Sequence, residues 1–173
     1  MEKRLRRIET ERLILREIGQ DDRPSLLRLF YNEEVKKTFM IPDFASREEA
    51  DRLFERMAEL SRQEDRFVYG AELCGELIGF INEVWKEDRA IELGYVVSPE
   101  HKAKGLCTEM LKAAIAELFR IGFTSVRAAC FEENIASRRV MEKSGMHRAE
   151  RTEDVEYRGM LHHCLCFEID RED

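Results

Sequence analysis

A short basic turn at residues 98–109, S-P-E-H-K-A-K-G-L-C-T-E, has the composition of an anion-binding loop. Gly105 lets the backbone approach a ligand closely, and Lys102 and Lys104 add positive charge. Where such a turn opens a helix, consecutive backbone N–H groups point at the ligand and form a site for a diphosphate. A lone glycine after two lysines is also typical of a solvated turn that caps a helix, so both interpretations stay open on these residues alone.

A single carboxylate interrupts the apolar run at residues 90–97, A-I-E-L-G-Y-V-V. Alternation along a strand places Glu92 on one face with Gly94 and Val96, and the apolar residues at 91, 93, 95 and 97 on the other. Desolvation by apolar strand surface raises the pKa of a carboxyl group toward the range that suits a general base. A half-exposed carboxylate paired with a lysine or arginine is the alternative interpretation.

The segment H-H-C-L-C at residues 162–166 contains the side chains that zinc prefers. On a strand, His162, Cys164 and Cys166 share one face while His163 points to the other, and structural zinc sites use paired C-x-x-C turns instead. We therefore expect no metal. The five cysteines of the chain lack the paired spacing of a secreted scaffold and are expected to be reduced thiols.

The elements that must position these residues follow from the hydrophobic pattern. Apolar residues recur at three- and four-residue intervals from Cys107 to Leu118 and predict a long helix that starts at the basic turn and ends near Gly122. Three strand-like runs at 67–73, 76–85 and 90–97 are joined by short links, so they must form an antiparallel meander. The carboxylate of Glu92 therefore lies on the last strand of this meander.

A strand at 124–130, a helix at 134–144 and a hairpin of 147–155 with 160–169 complete the C-terminal half. The helix between the strands at 90–97 and 124–130 permits these two to pair in parallel at the centre of the sheet. Before the meander, a strand at 13–18 precedes two helices, and Ser46 with Glu49 predicts a capping box for the second. The predicted fold class is α/β (α+β), a mixed, mostly antiparallel sheet of about seven strands with about four helices.

The composition narrows the class of protein. With 173 residues, 43% of them hydrophobic, the chain is expected to form a single domain over residues 1–173. The net charge of −7 opposes a general affinity for nucleic acid or for anionic membranes. Charges interrupt every apolar run that could serve as a signal peptide or membrane span, so we expect a cytoplasmic protein. A monomer and a homodimer are both compatible with the sequence.

Three motifs carry a resemblance to a known family. Residues 102–107, K-A-K-G-L-C, resemble the pyrophosphate-binding signature Q/R-x-x-G-x-G/A of the GNAT acetyltransferases, with Lys102 replacing Gln or Arg and Cys107 replacing Gly or Ala. Residues 92–100, E-L-G-Y-V-V-S-P-E, and 134–146, N-I-A-S-R-R-V-M-E-K-S-G-M, are similar to stretches of the ribosomal-protein N-terminal acetyltransferase (RimJ/RimL-type) branch. Residues 9–16 also resemble the first strand of that branch, so the likeness extends across most of the chain.

The resemblance implies the GNAT fold and acetyl-CoA as cosubstrate. Its pantetheine arm is expected in a gap between the strands at 90–97 and 124–130, with the amide of Val96 or Val97 as the donor to the developing oxyanion. Asn134 fits a pantetheine contact as well as a helix cap. The residues implied in binding acetyl-CoA through the backbone are Tyr95, Val96, Val97, Lys102, Ala103, Lys104, Gly105, Leu106, Cys107 and Thr108.

The resemblance also implies catalytic roles. Glu92 corresponds to an acid that, in many members, draws the proton of the amine through water. Many GNAT enzymes protonate the departing thiolate with a tyrosine seven residues after the asparagine that Asn134 matches, but Met141 stands there and cannot donate a proton. Ser137 lies one turn earlier on the same helical face and is the substitute that the branch implies. Two other roles stay open for Ser137 at the cofactor, relaying a proton or holding the thiol sulfur of CoA. A helix hydroxyl bonded to a carbonyl is the alternative without a function.

The branch implies that the acceptor is the amine of a protein or peptide N-terminus. A small amine, such as a polyamine, an amino sugar or an antibiotic, is the alternative, and the acidic charge balance supports it through attraction of cations. A non-catalytic acyl-CoA-binding sensor is the alternative from another class: Met141 favours it and Glu92 opposes it.

Overall fold

The computed structural model describes residues 3–172, which contain an eight-stranded sheet in the order β1-β2-β3-β4-β5-β6-β8-β7. Neighbouring strands are antiparallel except β5 and β6, which are parallel. A mixed, mostly antiparallel sheet is thus confirmed. The strands are β1 (Arg7–Glu9), β2 (Leu13–Arg16), β3 (Val68–Leu73), β4 (Glu76–Glu87), β5 (Ala90–Val97), β6 (Ser125–Phe131), β7 (His147–Tyr157) and β8 (Met160–Asp170).

Helices cover both faces of the sheet. One apolar core forms between the sheet and α4, with Met141 of α5 joining it, and a second core forms on the other face under α1 and α3. The side chain at position 93 of β5 belongs to the first core and that at position 96 to the second, as strand alternation predicts. The helices are α1 (Arg23–Tyr31), α2 (Glu33–Lys36), α3 (Arg47–Arg62), α4 (Leu106–Ile121) and α5 (Ile135–Lys143).

The helix α4 is the predicted long amphipathic helix, and its packing fixes the place of the basic turn that precedes it. Its buried apolar face includes Leu106, Met110, Leu111 and Leu118. Full burial of such a side chain contributes about 1.5–3 kcal/mol, so this face holds the helix firmly against the sheet. The helix ends at Gly122, whose φ of 108° is the left-handed conformation that glycine adopts at helix ends. The N-terminus of α4 is consequently held at the end of β5.

The predicted hairpins are confirmed. Cys74 and Gly75 have φ angles of 50° and 87° and join β3 to β4, with Leu73 paired to Glu76. Two positive φ angles give the turn the twist that suits antiparallel strands. Arg158 and Gly159, at 51° and 73°, join β7 to β8 in the same way.

Two predictions in the N-terminal half are wrong. The first predicted strand stops at Arg16 instead of Ile18, because the backbone N–H of Ile18 donates to Ser61 Oγ of α3 at 2.9 Å and leaves the sheet. The capping box of α3 does not form as predicted. Ser46 is the N-cap residue but its side chain makes no cap bond, and the Glu49 carboxylate accepts from the N–H of Ala45 at 2.8 Å instead.

Candidate functional site

Strands β5 and β6 separate halfway along their length. They pair from Ala90 with Ser125 to Leu93 with Ala128, and no pairing follows among the described residues. The last four residues of β5, 94–97, therefore border a gap on the side of β6. Such a gap exposes backbone N–H and C=O groups that a sheet would otherwise pair, so it can hold an extended polar ligand.

Backbone groups along β5 alternate in direction, which decides which amide faces the gap. The N–H of Ser98 donates to Ile78 O at 2.7 Å, and a Cβ built on Gly79 would lie 2.1 Å from Val96 O. Both observations place the polar groups of residues 96 and 98 against β4. The backbone N–H groups of successive residues in a strand point to opposite sides of it. The N–H of Val97 therefore points toward the gap, and that of Val96 points toward β4.

The basic turn has the geometry of an anion site. Gly105 is the N-cap of α4 at φ 78° without a side-chain cap bond, and Ala103 also has a positive φ, 61°. The backbone N–H groups of residues 103–108 make no hydrogen bond to any residue of the described chain. Lys102 and Lys104 are exposed beside them. A row of free N–H groups at a helix N-terminus, next to two ammonium groups, fits a diphosphate.

Arg12, in the link between β1 and β2, holds this turn from behind. Its Nη1 donates to Lys104 O at 2.8 Å, and its Nε donates to the Glu109 carboxylate of α4 at 2.7 Å. In a trans peptide the C=O and the next N–H point in opposite directions. The bond from Arg12 to the Lys104 carbonyl therefore turns the N–H of Gly105 away from Arg12. Glu109 is further bound by Thr10 Oγ1 at 2.6 Å.

Glu92 lies beside the point where β5 and β6 part. Its side chain is 14% exposed, and its Oε2 lies 3.3 Å from Arg151 Nη2 of β7. Burial raises the pKa of Glu92, the negative charge of Glu153 raises it further, and Arg151 acts in the opposite direction. The sequence left two interpretations of Glu92 open, a carboxylate with a raised pKa and one paired with a basic side chain. Each describes part of what the structure shows, because Glu92 is paired with Arg151 and still has a raised pKa.

A cavity of about 510 Å³ opens on the face of the sheet that carries Glu92. Its walls come from the segment 38–42, from α1 and α3, and from strands β3 to β8. Apolar side chains dominate the walls, and Glu92 and Glu153 are among the few charged groups that reach them. The size is that of small-molecule sites, which typically occupy roughly 300–1,000 Å³. The aromatic members of the lining are Phe30, Phe39, Phe80 and Phe131.

Ser137 lies on the other face of the sheet, in contact with Tyr95. Tyr95 Oη is 2.9 Å from Ser137 Oγ and 3.3 Å from the Ser137 carbonyl oxygen. Burial strongly raises the pKa of Tyr95, so its hydroxyl keeps its proton at neutral pH. Asn134 is the N-cap of α5, and its Oδ1 accepts a hydrogen bond from the N–H of Ser137 at 3.1 Å. The cap interpretation of Asn134 is therefore correct, and its amide nitrogen is left for another contact.

The cysteines and histidines make other contacts. Burial raises the pKa of the Cys107 thiol to about 11, so Cys107 is a neutral thiol rather than a nucleophile. His162 stacks on Phe131 with the ring centres 4.1 Å apart, and its Nδ1 lies 3.0 Å from a Glu133 carboxylate oxygen. The described residues contain no cluster of three side chains with the geometry of a metal site. No helix among the described residues is long and apolar enough to cross a membrane.

The structure brings most of the predicted site residues to the gap. Residues 95–97 of β5, the turn at 102–108 and the start of α5 surround it, while Glu92 lies at its inner end. Sequence reasoning missed Arg151 and Glu153, which reach Glu92 from a strand more than fifty positions away. It also missed the hydroxyl of Tyr95, for which only main-chain contacts were expected.

Comparisons with known proteins identify the family and similar folds. A family model described as an acetyltransferase (GNAT) domain matches residues 12–147. The uncharacterized N-acetyltransferase YoaA of Bacillus subtilis (strain 168) is 30% identical over 146 residues, which cover 82% of each chain. A GNAT-family acetyltransferase structure from Bacillus anthracis has a similar fold, with a TM-score of 0.81 at 23% identity over 95% of this chain and 98% of that one. RimL, a ribosomal L7/L12 alpha-N-protein acetyltransferase solved with coenzyme A, gives a TM-score of 0.81 at 19% identity over 95% and 97% of the chains.

Proposed function

Since this chain belongs to the GNAT family and is an N-acetyltransferase, we propose that it moves the acetyl group of acetyl-CoA to a primary amine, with Glu92 as the general base. The observation that carries the proposal is the position of Glu92. It is a largely buried carboxylate with a raised pKa, at the junction of the strand gap and the cavity. The amine enters from the cavity, and the gap holds the thioester.

The residues of the gap and the turn fit acetyl-CoA. The free N–H groups of residues 103–108 and the ammonium groups of Lys102 and Lys104 would hold the diphosphate, and Arg12 fixes the turn from behind. The main chain of residues 95–97 would hold the pantetheine arm along the edge of β5. When bound, acetyl-CoA supplies an activated acetyl thioester.

Glu92 would accept the proton of the attacking amine, directly or through one water molecule. A carboxylate whose pKa is raised is a better proton acceptor near neutral pH than one at its usual value. The N–H of Val97 points into the gap and is the proposed donor to the oxygen that gains negative charge during attack. Val97 is preferred to Val96 because the polar groups of Val96 face β4.

Ser137 would supply the proton that the departing sulfur needs, in place of the tyrosine that Met141 replaces. A serine hydroxyl is a weak acid by itself. Tyr95 Oη, 2.9 Å from Ser137 Oγ, stays protonated and can donate a hydrogen bond to that oxygen, which stabilises it as the serine proton moves to the sulfur. Ser137, supported by Tyr95, would therefore take the place of the single tyrosine and would regain its proton from solvent.

The preferred acceptor is the N-terminal amine of a protein or peptide. The motifs of the branch support it, and so do similar folds described as RimL and as a ribosomal-protein-S5-alanine acetyltransferase. A small amine is the second candidate, favoured by the bounded volume of the cavity, about 510 Å³.

The test measures release of the free thiol of coenzyme A from acetyl-CoA, with a panel of peptides and small amines. We expect release with at least one acceptor, and Glu92→Gln should lower kcat/KM by about 10²–10⁴-fold, the usual contribution of a general base. Glu153→Gln is the matched control, because it removes a carboxylate from the same cavity without removing the base, and the rates are compared at a pH above the acidic limb, where its effect on the pKa of Glu92 does not alter the rate. Tight binding of coenzyme A without release for any acceptor would favour the sensor, and an unchanged rate for Glu92→Gln would remove Glu92 from the mechanism.

A further inference from the structure

The tip of the β7–β8 hairpin extends beyond the rest of the sheet. Strand β8 pairs with β6 only as far as Cys164, which lies opposite Phe131. Residues 155–162 form an arm beyond this point and, among the described residues, pair only with one another. None of the residues in the arm is buried, and an isolated two-stranded hairpin is only marginally stable in water. The position of the arm therefore depends on the contacts that its side chains make.

Tyr157 of the arm is bonded to the segment 38–42, which forms another wall of the cavity. Its hydroxyl donates to Ile41 O at 2.9 Å and accepts from the N–H of Ile41 at 3.3 Å. Ile41 belongs to the lining of the cavity, and so does Val155 at the base of the arm. The hydroxyl of Tyr157 consequently joins two walls that come from distant parts of the chain.

Arg158, at the turn of the arm, forms ion pairs on both sides of the same segment. Its Nε lies 2.9 Å from Asp43 Oδ2, and its Nη1 lies 2.9 Å from Glu33 Oε2 of α2. The other oxygen of Asp43 accepts from Lys36 Nζ at 2.8 Å, and the Lys36 side chain is only 5% exposed. Because the buried ammonium group of Lys36 fixes Asp43, Arg158 meets a carboxylate that is already in place. Tyr157 and Arg158 together form a latch between the arm and the segment.

The segment and the arm differ in what else attaches them to the protein. Ile41 is 3% exposed in the second core, and Phe39 packs edge-on against Phe80 with the ring centres 5.4 Å apart. These apolar contacts hold the segment whether or not the latch is closed. Besides the latch, the arm is attached through His162, which stacks on Phe131. Loss of the latch should therefore free the arm and leave the segment in place.

We propose that Tyr157 and Arg158 are positioning residues for the acceptor: their latch keeps the arm against the segment and so holds the cavity in the shape that receives the amine. A wall that must first be ordered lowers the affinity for a ligand by the fraction of time that it is out of place. Among the described residues, neither side chain has a hydrogen bond or ion pair with the turn at 102–108, so the latch should affect the acceptor and not acetyl-CoA. This inference rests on the proposed acetyl transfer and adds two residues to the same site.

The test removes the latch and keeps the bulk of each side chain. Tyr157→Phe removes the hydroxyl and keeps the ring, and Arg158→Met removes both ion pairs and keeps the length of the side chain. With the best acceptor of the panel, we expect the KM of the acceptor to rise about threefold in each variant and about tenfold in the double variant, since a hydrogen bond or an exposed ion pair contributes factors of this size. The KM of acetyl-CoA should stay at its wild-type value.

Two surface variants and one conservative variant serve as controls. Tyr31→Phe removes the hydroxyl of an exposed tyrosine, and Arg7→Met removes an exposed ion pair with Glu9. Neither residue lines the cavity, so both variants should retain the wild-type KM of the acceptor. Arg158→Lys keeps the positive charge at the turn of the arm and should retain more of the affinity for the acceptor than Arg158→Met does.

An acceptor KM that is unchanged or lower in the double variant would overturn the proposal, and so would equal rises in both KM values, which indicate a general structural defect. Hydrogen exchange gives a readout that does not depend on turnover or on the choice of acceptor. The backbone amides of the arm should exchange faster in the double variant, whereas those of β3, β4 and β5 keep their wild-type rates. Wild-type exchange rates in the arm would contradict a latch.

Failure of the proposed function has a different signature. If wild-type protein releases no thiol with any amine, acetyl transfer itself is refuted, and the role of the latch in acceptor binding falls with it. If the wild type acetylates amines and the latch variants leave the KM of the acceptor unchanged, only the latch is wrong.

Discussion

Replacing the two charged neighbours of Glu92 should shift the pH dependence of the enzyme in opposite directions. Arg151 lowers the pKa of Glu92 and Glu153 raises it. In Arg151→Met the pKa of Glu92 should rise, so the acidic limb of the kcat/KM profile moves to higher pH. In Glu153→Gln the pKa should fall, and the limb moves to lower pH.

The size of the first shift follows from the exposure of the pair. Arg151 and Glu92 are 3.3 Å apart, but the arginine side chain is 46% exposed, so water screens the interaction. Exposed pairs contribute about 0.2–1 kcal/mol. Since one pKa unit corresponds to about 1.36 kcal/mol, the limb should move by about 0.15–0.7 pH units.

The assay follows thiol release at fixed acetyl-CoA and limiting acceptor between pH 5 and pH 9. The titration of the acceptor amine is the same for all proteins and does not contribute to the difference. Glu92→Gln is the reference, because its profile should retain only the limb that the acceptor amine produces. Shifts of the two variants in the same direction, or an acidic limb in Glu92→Gln as steep as that of the wild type, would refute the assignment of the base.

Three further predictions concern the backbone and the proton donor. Gly105→Ala forces an L-residue into a φ of 78°, which costs about 1–2 kcal/mol. Calorimetry should therefore give an affinity for acetyl-CoA that is about 5- to 30-fold weaker. The control Gly159→Ala, at φ 73° in a remote turn, should lower the melting temperature without changing that affinity. Ser137→Ala should lower kcat by up to about 10²-fold with little change in either KM, and an unchanged kcat would exclude the serine as donor. Gly79→Ala places a Cβ 2.1 Å from Val96 O, so a fall of about 1–3 kcal/mol in the free energy of unfolding is expected in chemical denaturation; a wild-type value would contradict the close approach.

The sequence predicts the elements whose pattern is local. The apolar period of α4 and the two-residue turns at Cys74–Gly75 and Arg158–Gly159 define their elements without help from distant residues. Two elements escape this reasoning. Strand β1 has one apolar residue among three and is stabilised by pairing with β2, and α2 is a single turn capped by Asn32. Neither is long enough to show a period.

In the site, too, the sequence predicts the residues that a local pattern marks and misses those that depend on long-range pairing. Glu92 and the basic turn stand out because a charge interrupts an apolar strand and a glycine opens a helix. Arg151 and Glu153, the partners of Glu92, do not stand out in the sequence. A β-bulge between Arg148 and Thr152 sets the register of β7 and so determines which of its side chains reach β5.

The most direct test of the account is a crystal structure of the protein with coenzyme A. The diphosphate should lie on the N–H groups of residues 103–108, with the sulfur between β5 and β6 near the N–H of Val97 and on the side from which Glu92 can be reached. A diphosphate bound elsewhere, or a sulfur outside this gap, would contradict it.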